Sequence, residues 1–202
     1  MRSDGIGLTQ LRRFAKTIGR DHKLAQSLWN SDHHEAKLIG LLIDEPKKIT
    51  REQAESQVEG VSPGYLAHAF SSCDATLPKT SLAFELAQDW VARQDPLRRR
   101  CGYGLVYELS KSKRDASLRD SYYEKCISTI ENNIHAEEGC TCAAMGGALI
   151  GIGKRSRKLN QAAIKAAKRI GPIHFNDDNP KADPIDVLKH LTSDYLKKKL
   201  GT

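Results

Sequence analysis

Two clusters of basic residues are the part of this sequence whose residue types and spacing most clearly suggest chemistry. One is Arg98-Arg99-Arg100 and the other is Lys154-Arg155-Ser156-Arg157-Lys158. Guanidinium and ammonium groups at this density bind the phosphate oxygens of nucleic acids. The alternative is that both clusters are solvated turns, in which an arginine of the first cluster pairs with Asp95 or Glu108. The candidate phosphate ligands are Arg99, Arg100, Lys154, Arg155, Arg157 and Lys158.

Residues of metal-ligand type also occur, but their spacing does not suit a metal site. His33 and His34 are adjacent, so on a helix their side chains point about 100° apart and chelate one ion poorly. The pair in Cys140-Thr141-Cys142 has no second Cys or His pair at the separation of a zinc site. Asn176-Asp177-Asp178-Asn179 is better explained as a solvated turn than as a cation site. We therefore expect neither a metal nor a cofactor.

The composition is that of a globular protein with an excess of positive charge. The 202 residues include 32 Lys and Arg against 25 Asp and Glu, a formal net charge of +7, which favours a polyanionic partner. No run of about 18 apolar residues is present, so we expect no membrane span. The N-terminus lacks an apolar signal core and the five cysteines are irregularly spaced, which favours the cytoplasm. The length suits one domain, residues 1–202.

The elements that must position these residues are predicted to be helices. Helix starts are predicted at Asp32 with Glu35, Thr50 with Gln53, Asp95-Pro96, and Asp183-Pro184. A further helix is predicted from about Gly64 to Ala75, and Gly171-Pro172 predicts a helix end. Ile173-His174-Phe175 is the single strand candidate. We expect about ten or eleven helices with short connections, and hence an all-α protein.

The helices also follow a repeating pattern. Leu24-Ala25-Gln26 precedes Trp29, and Leu86-Ala87-Gln88 precedes Trp90, each followed by an acidic turn and a helix that contains a glycine. Because glycine weakens a helix by about 1 kcal/mol relative to alanine, its return indicates close helix–helix approach. Repeated helix pairs predict an α-solenoid, that is, an α-α superhelix with a concave surface for a large ligand. The matching positions of Trp29 and Trp90 predict that both lie in the core.

Several segments resemble one known family. They are residues 11–29, residues 34–38, Trp90, Arg99-Arg100-Cys101-Gly102, and residues 148–155, which end in Ile152-Gly153-Lys154-Arg155. Together they resemble the DNA alkylation repair (AlkD-like) family of HEAT-like repeat proteins. The resemblance implies a superhelix whose basic concave face holds duplex DNA. It also implies removal of N3- or N7-alkylated purines, with an aspartate that stabilises the cationic sugar and aromatic residues that line the cleft.

The sequence departs from this family where the catalytic acid belongs. The family's Trp-Asp-x-x-Asp-like segment matches Gly64-Tyr65-Leu66-Ala67-His68, which places His68 at the aspartate and Gly64 at the tryptophan. The expected arginine falls near Ile150. A histidine cannot stabilise a sugar cation as a carboxylate does. Asp74 is the nearest acid, but on a continuous helix it would lie about 240° from His68 and face elsewhere.

Two functions therefore follow from the resemblance. The chain is either an alkylpurine DNA glycosylase in which Asp74 or another acid replaces the missing aspartate, or a catalytically inactive relative. An inactive relative would bind nucleic-acid structures or a protein partner. Tyr65 and Tyr103 are the aromatic candidates for the cleft, although either suits the core equally well. The positions to inspect for catalysis are His68, Asp74 and Tyr65.

Overall fold

The computed structural model describes residues 1–112, 119–137, 139–175 and 183–201. Within these ranges the chain forms twelve α-helices and two 3₁₀ turns, Leu77–Lys79 and Ile134–Ala136. The helices are α1 (Leu8–Ile18), α2 (His22–Trp29), α3 (His34–Ile43), α4 (Arg51–Glu59), α5 (Tyr65–Ser71), α6 (Ala83–Val91), α7 (Pro96–Lys111), α8 (Asp120–Asn133), α9 (Gly139–Gly153), α10 (Arg157–Ile170), α11 (Val187–Leu191) and α12 (Asp194–Leu200). None of these helices is long and apolar enough to cross a membrane.

The helices stack in two layers. An inner row consists of α3, α5, α7, α9 and α11, each of which packs against the next. Outside this row, α2 packs on α3, α6 packs on α7, and both α8 and α10 pack on α9. β-Pairing in the described ranges is limited to two isolated bridges, Arg2 with His33 and Ile173 with Ile185. The predicted all-α class is therefore confirmed, and the strand candidate contributes one antiparallel bridge.

Three aromatic side chains join the first repeats in a shared core. The Trp29 and Phe70 rings lie 6.2 Å apart, and the Phe70 and Trp90 rings lie 6.0 Å apart. All three residues are buried, which confirms the core positions predicted for the two tryptophans. Tyr103 is also buried in the core, so it does not line a cleft. Burial of large aromatic surfaces of this kind is the main stabilising contribution to such a core.

Glycines on the inner row allow the layers to approach closely, as the repeat pattern predicts. A Cβ atom on Gly40 would lie 2.8 Å from the Ala25 carbonyl oxygen, and one on Gly102 would lie 2.8 Å from the Val91 nitrogen. Both contacts join the second helix of a pair to the first. Gly104, two residues further along α7, faces α5, where a Cβ would lie 2.1 Å from Ser71 Oγ.

Two of the predicted helix starts are confirmed. The Asp95 carboxylate accepts a hydrogen bond of 2.9 Å from the Leu97 N–H, directly before the proline that begins α7. Thr50 Oγ1 accepts one of 3.2 Å from the Gln53 N–H at the start of α4. In both cases a side-chain oxygen satisfies an N–H group that has no partner within its helix.

The capping box predicted for Asp32 and Glu35 is wrong. His33 is the residue that precedes α3, and its side chain makes no cap hydrogen bond. Glu35 is buried and instead holds the segment before α1, because its Oε1 accepts hydrogen bonds from Ser3 Oγ at 2.7 Å and from the N–H groups of Asp4 and Gly5 at 3.1 and 3.0 Å. The contact spans about thirty residues of sequence, which a local capping rule does not consider.

The C-terminal boundary also differs from the prediction. Asp183-Pro184 does not begin a helix, because Ile185 first pairs with Ile173. Asp186 then caps α11 by accepting a hydrogen bond of 2.9 Å from the Lys189 N–H, and a separate α12 follows. The helix end predicted at Gly171-Pro172 is confirmed, since α10 ends at Ile170.

Candidate nucleic-acid groove

A cleft of about 670 Å³ opens along the inner row of helices. One wall is apolar and belongs to α9, which contributes Ala143, Ala144, Gly147 and Ile150. The other lining residues come from α1, α5, α7 and α11 and the loops beside them, and they are mostly polar. The charged residues that line the cleft are Arg12, Asp74, Arg100, Glu108, Lys111 and Lys154.

Two smaller recesses extend this cleft at either end. A recess of about 460 Å³ shares Arg12 and Asp74 with the cleft, and one of about 280 Å³ shares Lys111 and Lys154 with it. We call the three together the basic groove. Among the described residues that line it, nine cations face two carboxylates, Asp74 and Glu108. The nine cations are Arg12, Lys16, Arg20, Lys79, Arg100, Lys111, Lys154, Arg155 and Lys199.

Arg100 is the buried cation of the groove. The residue is 6% exposed, yet its guanidinium lines the cleft, and Nε has no hydrogen-bond partner among the described residues. Loss of hydration lowers the pKa of Arg100, and no ion pair with a carboxylate offsets this among the described residues. The family resemblance implies an arginine near Ile150 of α9. The structure instead has Arg100 of α7 in the cleft, and Ile150 lines the same cleft.

His68 lies on the α5 wall of the cleft. Its Nδ1 is 3.2 Å from Ser72 Oγ, one helical turn further along the chain. Burial, and then the positive charges of Arg100, Lys111 and Arg12, lower the pKa of His68. The imidazole is therefore neutral at neutral pH, and no negative charge occupies the position where the family resemblance implies a catalytic aspartate.

Asp74 lies in the same cleft as His68, because α5 is shorter than predicted. The helix ends at Ser71, and Cys73 and Asp74 both have left-handed backbone conformations, with φ of 56° and 70°. This turn brings Asp74 Oδ2 to 3.1 Å from Arg12 Nε, while another Arg12 nitrogen donates a hydrogen bond of 3.0 Å to the Cys73 carbonyl. The prediction that Asp74 faces elsewhere is wrong, since it assumed a helix that continues to Ala75.

Tyr65 stands beside the cleft, at the first residue of α5. Its ring is 47% exposed and lies 6.5 Å from the His68 ring and 6.1 Å from the His34 ring. It does not line the cleft itself. Of these three residues, His68 lines the cleft, and Tyr65 and His34 do not.

The six candidate phosphate ligands divide into two groups of three. Arg100, Lys154 and Arg155 line the basic groove. Arg155 is also held locally, because it donates to the carbonyls of Ser110 and Ser112 and lies over the Tyr123 ring. Phosphate contact by these three residues remains a prediction.

Arg99, Arg157 and Lys158 do not line the groove. Arg99 donates to both carboxylate oxygens of Glu137, Arg157 donates to the Gly201 carbonyl, and Lys158 lies 2.6 Å from Glu124. The alternative that an arginine of the first cluster pairs with Asp95 is also confirmed, since Arg98 lies 2.8 Å from Asp95.

The groove contains cations that the basic clusters did not indicate. Arg12 and Lys16 lie four residues apart on α1 and Lys111 ends α7. The spacing of Arg12 and Lys16 places them on one helix face, and that pattern was available in the sequence. In the described ranges no three His, Cys, Asp or Glu side chains come together as metal ligands would. The acidic segment 176–179 lies outside those ranges.

Comparison with known proteins agrees with this architecture. The stacked helix pairs define the class of the protein, an α-solenoid. The family model described as DNA alkylation repair enzyme matches residues 1–177, and the chain therefore belongs to that family. Its relatives include uncharacterized proteins of Listeria innocua and Listeria monocytogenes, which are 24% and 23% identical to it. Each match spans 189 residues, which is 93% of this chain and 81% of the relative.

A solved structure matches almost the whole chain. The TM-score is 0.86 at 21% sequence identity, over 98% of this chain and 84% of the other. That structure is described as belonging to a new family of proteins related to the HEAT-like repeat DNA glycosylases, with affinity for branched DNA structures. The likeness confirms the predicted HEAT-like superhelix.

Proposed function

We propose that residues 1–202 act as one cytoplasmic DNA-binding domain that holds the phosphate backbone of duplex DNA, including the duplex arms of branched DNA, in the basic groove. The observation that carries this proposal is Arg100, a buried guanidinium that lines the groove without a carboxylate partner among the described residues. Burial of an unpaired charge is unfavourable, and a bound phosphate would provide the missing partner.

The other groove cations support the same ligand. Arg12, Lys111 and Lys154 lie around the cleft that Arg100 lines, and the two end recesses add further cations. A series of positive groups along a groove is suited to a backbone with regularly spaced negative charges. The family of the chain and the reported affinity of its structural neighbour for branched DNA support DNA as that polyanion.

The arrangement favours binding over base excision. The two groove carboxylates are in ion pairs, Asp74 with Arg12 at 3.1 Å and Glu108 with Lys111 at 2.8 Å. An acid that stabilises a cationic sugar must direct its negative charge at the sugar, and a neighbouring cation opposes this. The neutral imidazole of His68 does not replace that charge. We therefore propose that the protein recognises DNA without excising a base.

One observation favours excision as the second candidate function. Asp74 lies in the same cleft as His68, and its side chain is 70% exposed. If Asp74 acts as the acid, the wild-type protein releases 7-methylguanine from methylated duplex DNA and the Asp74→Asn variant does not. Lack of release by folded wild-type protein would reject this second candidate and leave the binding proposal intact.

Charge reversal in the groove tests the binding proposal. The variant Lys111→Glu/Lys154→Glu changes two groove residues, and the matched control Lys158→Glu/Arg169→Glu makes the same change in net charge outside the groove, at residues paired with Glu124 and Glu131. Affinity for labelled duplex DNA is measured by fluorescence anisotropy between about 50 and 200 mM salt.

We expect the logarithm of the wild-type affinity to fall linearly with the logarithm of the salt concentration. The groove variant should bind at least tenfold more weakly. Its plot of log affinity against log salt concentration should be less steep by roughly two, since each lost phosphate contact contributes about 0.9 to the slope. The control should stay within about threefold of wild type, an effect of long-range charge alone. Equal losses in both variants would contradict the groove. Wild-type affinity no better than that of an unrelated basic protein would instead favour a protein-binding scaffold.

A further inference from the structure

Three neighbouring aromatic rings lie at the edge of the basic groove, near the start of α5. His68 belongs to the cleft wall, Tyr65 lies one turn before it on α5, and His34 lies at the start of α3. Successive ring centroids are 6.5 and 6.1 Å apart, and the ring planes are inclined by 49° and 39°. We call these three residues the aromatic row.

The central ring of the row is open to a ligand. Tyr65 is 47% exposed, whereas the tryptophan and phenylalanine rings of the first repeats are buried in the core. The preceding residue, Gly64, has a left-handed backbone with φ of 93°, and a Cβ atom placed there would meet nothing within 4 Å. Open space therefore adjoins the backbone directly before Tyr65.

The row stands next to positive charge. Arg12 donates a hydrogen bond of 3.0 Å to the Cys73 carbonyl, and both residues line the cleft together with His68 of the row. Arg12 is also a lining residue of both the cleft and the adjoining recess. A phosphate bound at Arg12 would thus lie in the cleft that the His68 end of the row lines.

We infer that the aromatic row stacks an unpaired nucleobase next to the basic groove, so that the protein prefers DNA with a bulged or branched strand over fully paired DNA. This inference rests on the proposed function, because it requires DNA in the groove. The two faces of a paired base are covered by its neighbours in the stack, and only an unpaired base offers a face to an aromatic side chain. The neutral imidazole of His68 adds a second aromatic face at the cleft wall, inclined by 49° to the Tyr65 ring.

The test uses duplex DNA with one bulged 2-aminopurine, whose fluorescence is quenched by stacking, and a matched duplex in which the same base is paired. Three variants are compared with wild type. Tyr65→Leu removes the central ring, and Tyr65→Phe keeps it. The control Phe14→Leu removes another exposed ring, 56% exposed, from α1. Phe14 is two residues from both Arg12 and Lys16, about 200° around the helix from each, and so points away from the groove.

We expect wild-type protein, Tyr65→Phe and Phe14→Leu to bind the bulged DNA roughly tenfold more tightly than the paired DNA and to quench the probe. Tyr65→Leu should lose this preference and the quenching, with affinity for paired DNA unchanged. Circular dichroism checks that each variant is folded, and the Tyr65→Phe result separates ring loss from misfolding.

The possible failures are distinguishable. Wild-type protein that binds paired and bulged DNA equally would overturn the aromatic row and leave the proposed function standing. An equal loss of affinity for both DNAs in Tyr65→Leu would also overturn it, because Tyr65 would then belong to general backbone binding. Absence of binding to either DNA by wild-type protein would overturn both the inference and the proposed function.

Discussion

Three consecutive arginines at the start of α7 serve two different regions of the molecule. Arg98, outside the basic groove, donates hydrogen bonds of 3.0 Å to both Glu55 and Glu59. Arg99 points to Glu137 with a hydrogen bond of 2.8 Å, whereas Arg100 points into the basic groove and has no carboxylate partner in the described ranges. Since each residue of a helix is rotated by about 100° from the one before, identical side chains reach different environments.

The same division extends along the stack. Outside the groove, several cations are matched by acids, as in Lys158 with Glu124 and Arg169 with Glu131. In the groove, nine cations face two carboxylates among the described residues. The comparison teaches that the number of basic residues in a cluster is a poor guide to ligand binding. The decisive property is whether an acidic partner is already present in the fold.

Removal of Arg99 should have the largest effect on stability. The substitution Arg99→Met leaves the Glu137 carboxylate, whose side chain is 9% exposed, without its partner, and we expect the free energy of unfolding to fall by about 3 kcal/mol. Urea denaturation measures the change. The control Arg93→Met breaks an exposed pair with Asp89 and should cost less than about 1 kcal/mol. Equal losses in the two variants would show that burial does not determine how much these ion pairs contribute to stability. DNA affinity should not change in either variant.

Removal of Arg100 should change the free energy of unfolding in the opposite direction. Because its charge is buried without a partner, we expect Arg100→Met to raise the free energy of unfolding by about 1 kcal/mol and to weaken DNA binding about tenfold. The same denaturation and anisotropy measurements report both quantities. Arg100→Lys keeps the charge and should gain no stability. A loss of stability in Arg100→Met would contradict the contrast between the two neighbouring arginines.

A pH-dependent effect is expected from a buried anion that does have partners. Hydrogen bonds from Ser3 and from backbone N–H groups lower the pKa of Glu35 from 4.5 to about 2. A carboxyl whose pKa is lowered by folding stabilises the fold above its unfolded-state pKa, and this contribution is lost as the pH falls through the folded value. Wild-type protein should therefore melt at a higher temperature than Glu35→Gln at neutral pH.

The difference between these two melting temperatures should shrink between about pH 5 and pH 2, where the unfolded and then the folded carboxyl gains its proton. Melting curves of the two proteins over this range provide the measurement. Asp4→Asn, at an exposed position that contacts Glu35 through its backbone N–H alone, controls for general loss of negative charge. A difference that stays constant with pH would contradict the assignment of the lowered pKa to Glu35.

Much of the fold was predictable because its signals are local. The caps at Thr50 and Asp95, the helix end at Gly171 and the buried positions of Trp29 and Trp90 each follow from a few neighbouring residues. The predictions failed where a distant contact decided the structure. Glu35 binds the segment around Ser3, and Ile185 pairs with Ile173, and no local pattern encodes either contact.

The groove was predicted only in part, because contacts between helices decide which cations belong to it. Two basic clusters led to Arg100 and Lys154, but their sequence neighbours Arg99 and Lys158 are neutralised by acids from other helices. Packing between helices decides which cations remain unpaired. The density of basic residues in the sequence therefore could not distinguish groove cations from paired ones. Asp74 entered the cleft because α5 ends three residues before it, and two consecutive left-handed residues are not expected for Cys and Asp.

The glycines of α7 have a consequence for how DNA would be received. Gly102 brings this helix against the backbone of α6, and Gly104 brings it against the Ser71 side chain of α5, and an added methyl group has no space at either position. The helix that carries Arg100 and Lys111 is therefore fixed between its neighbours before any ligand arrives. Such a surface is a preorganised template, and little conformational entropy of the protein is lost on association. Most of the adaptation in a complex then belongs to the nucleic acid.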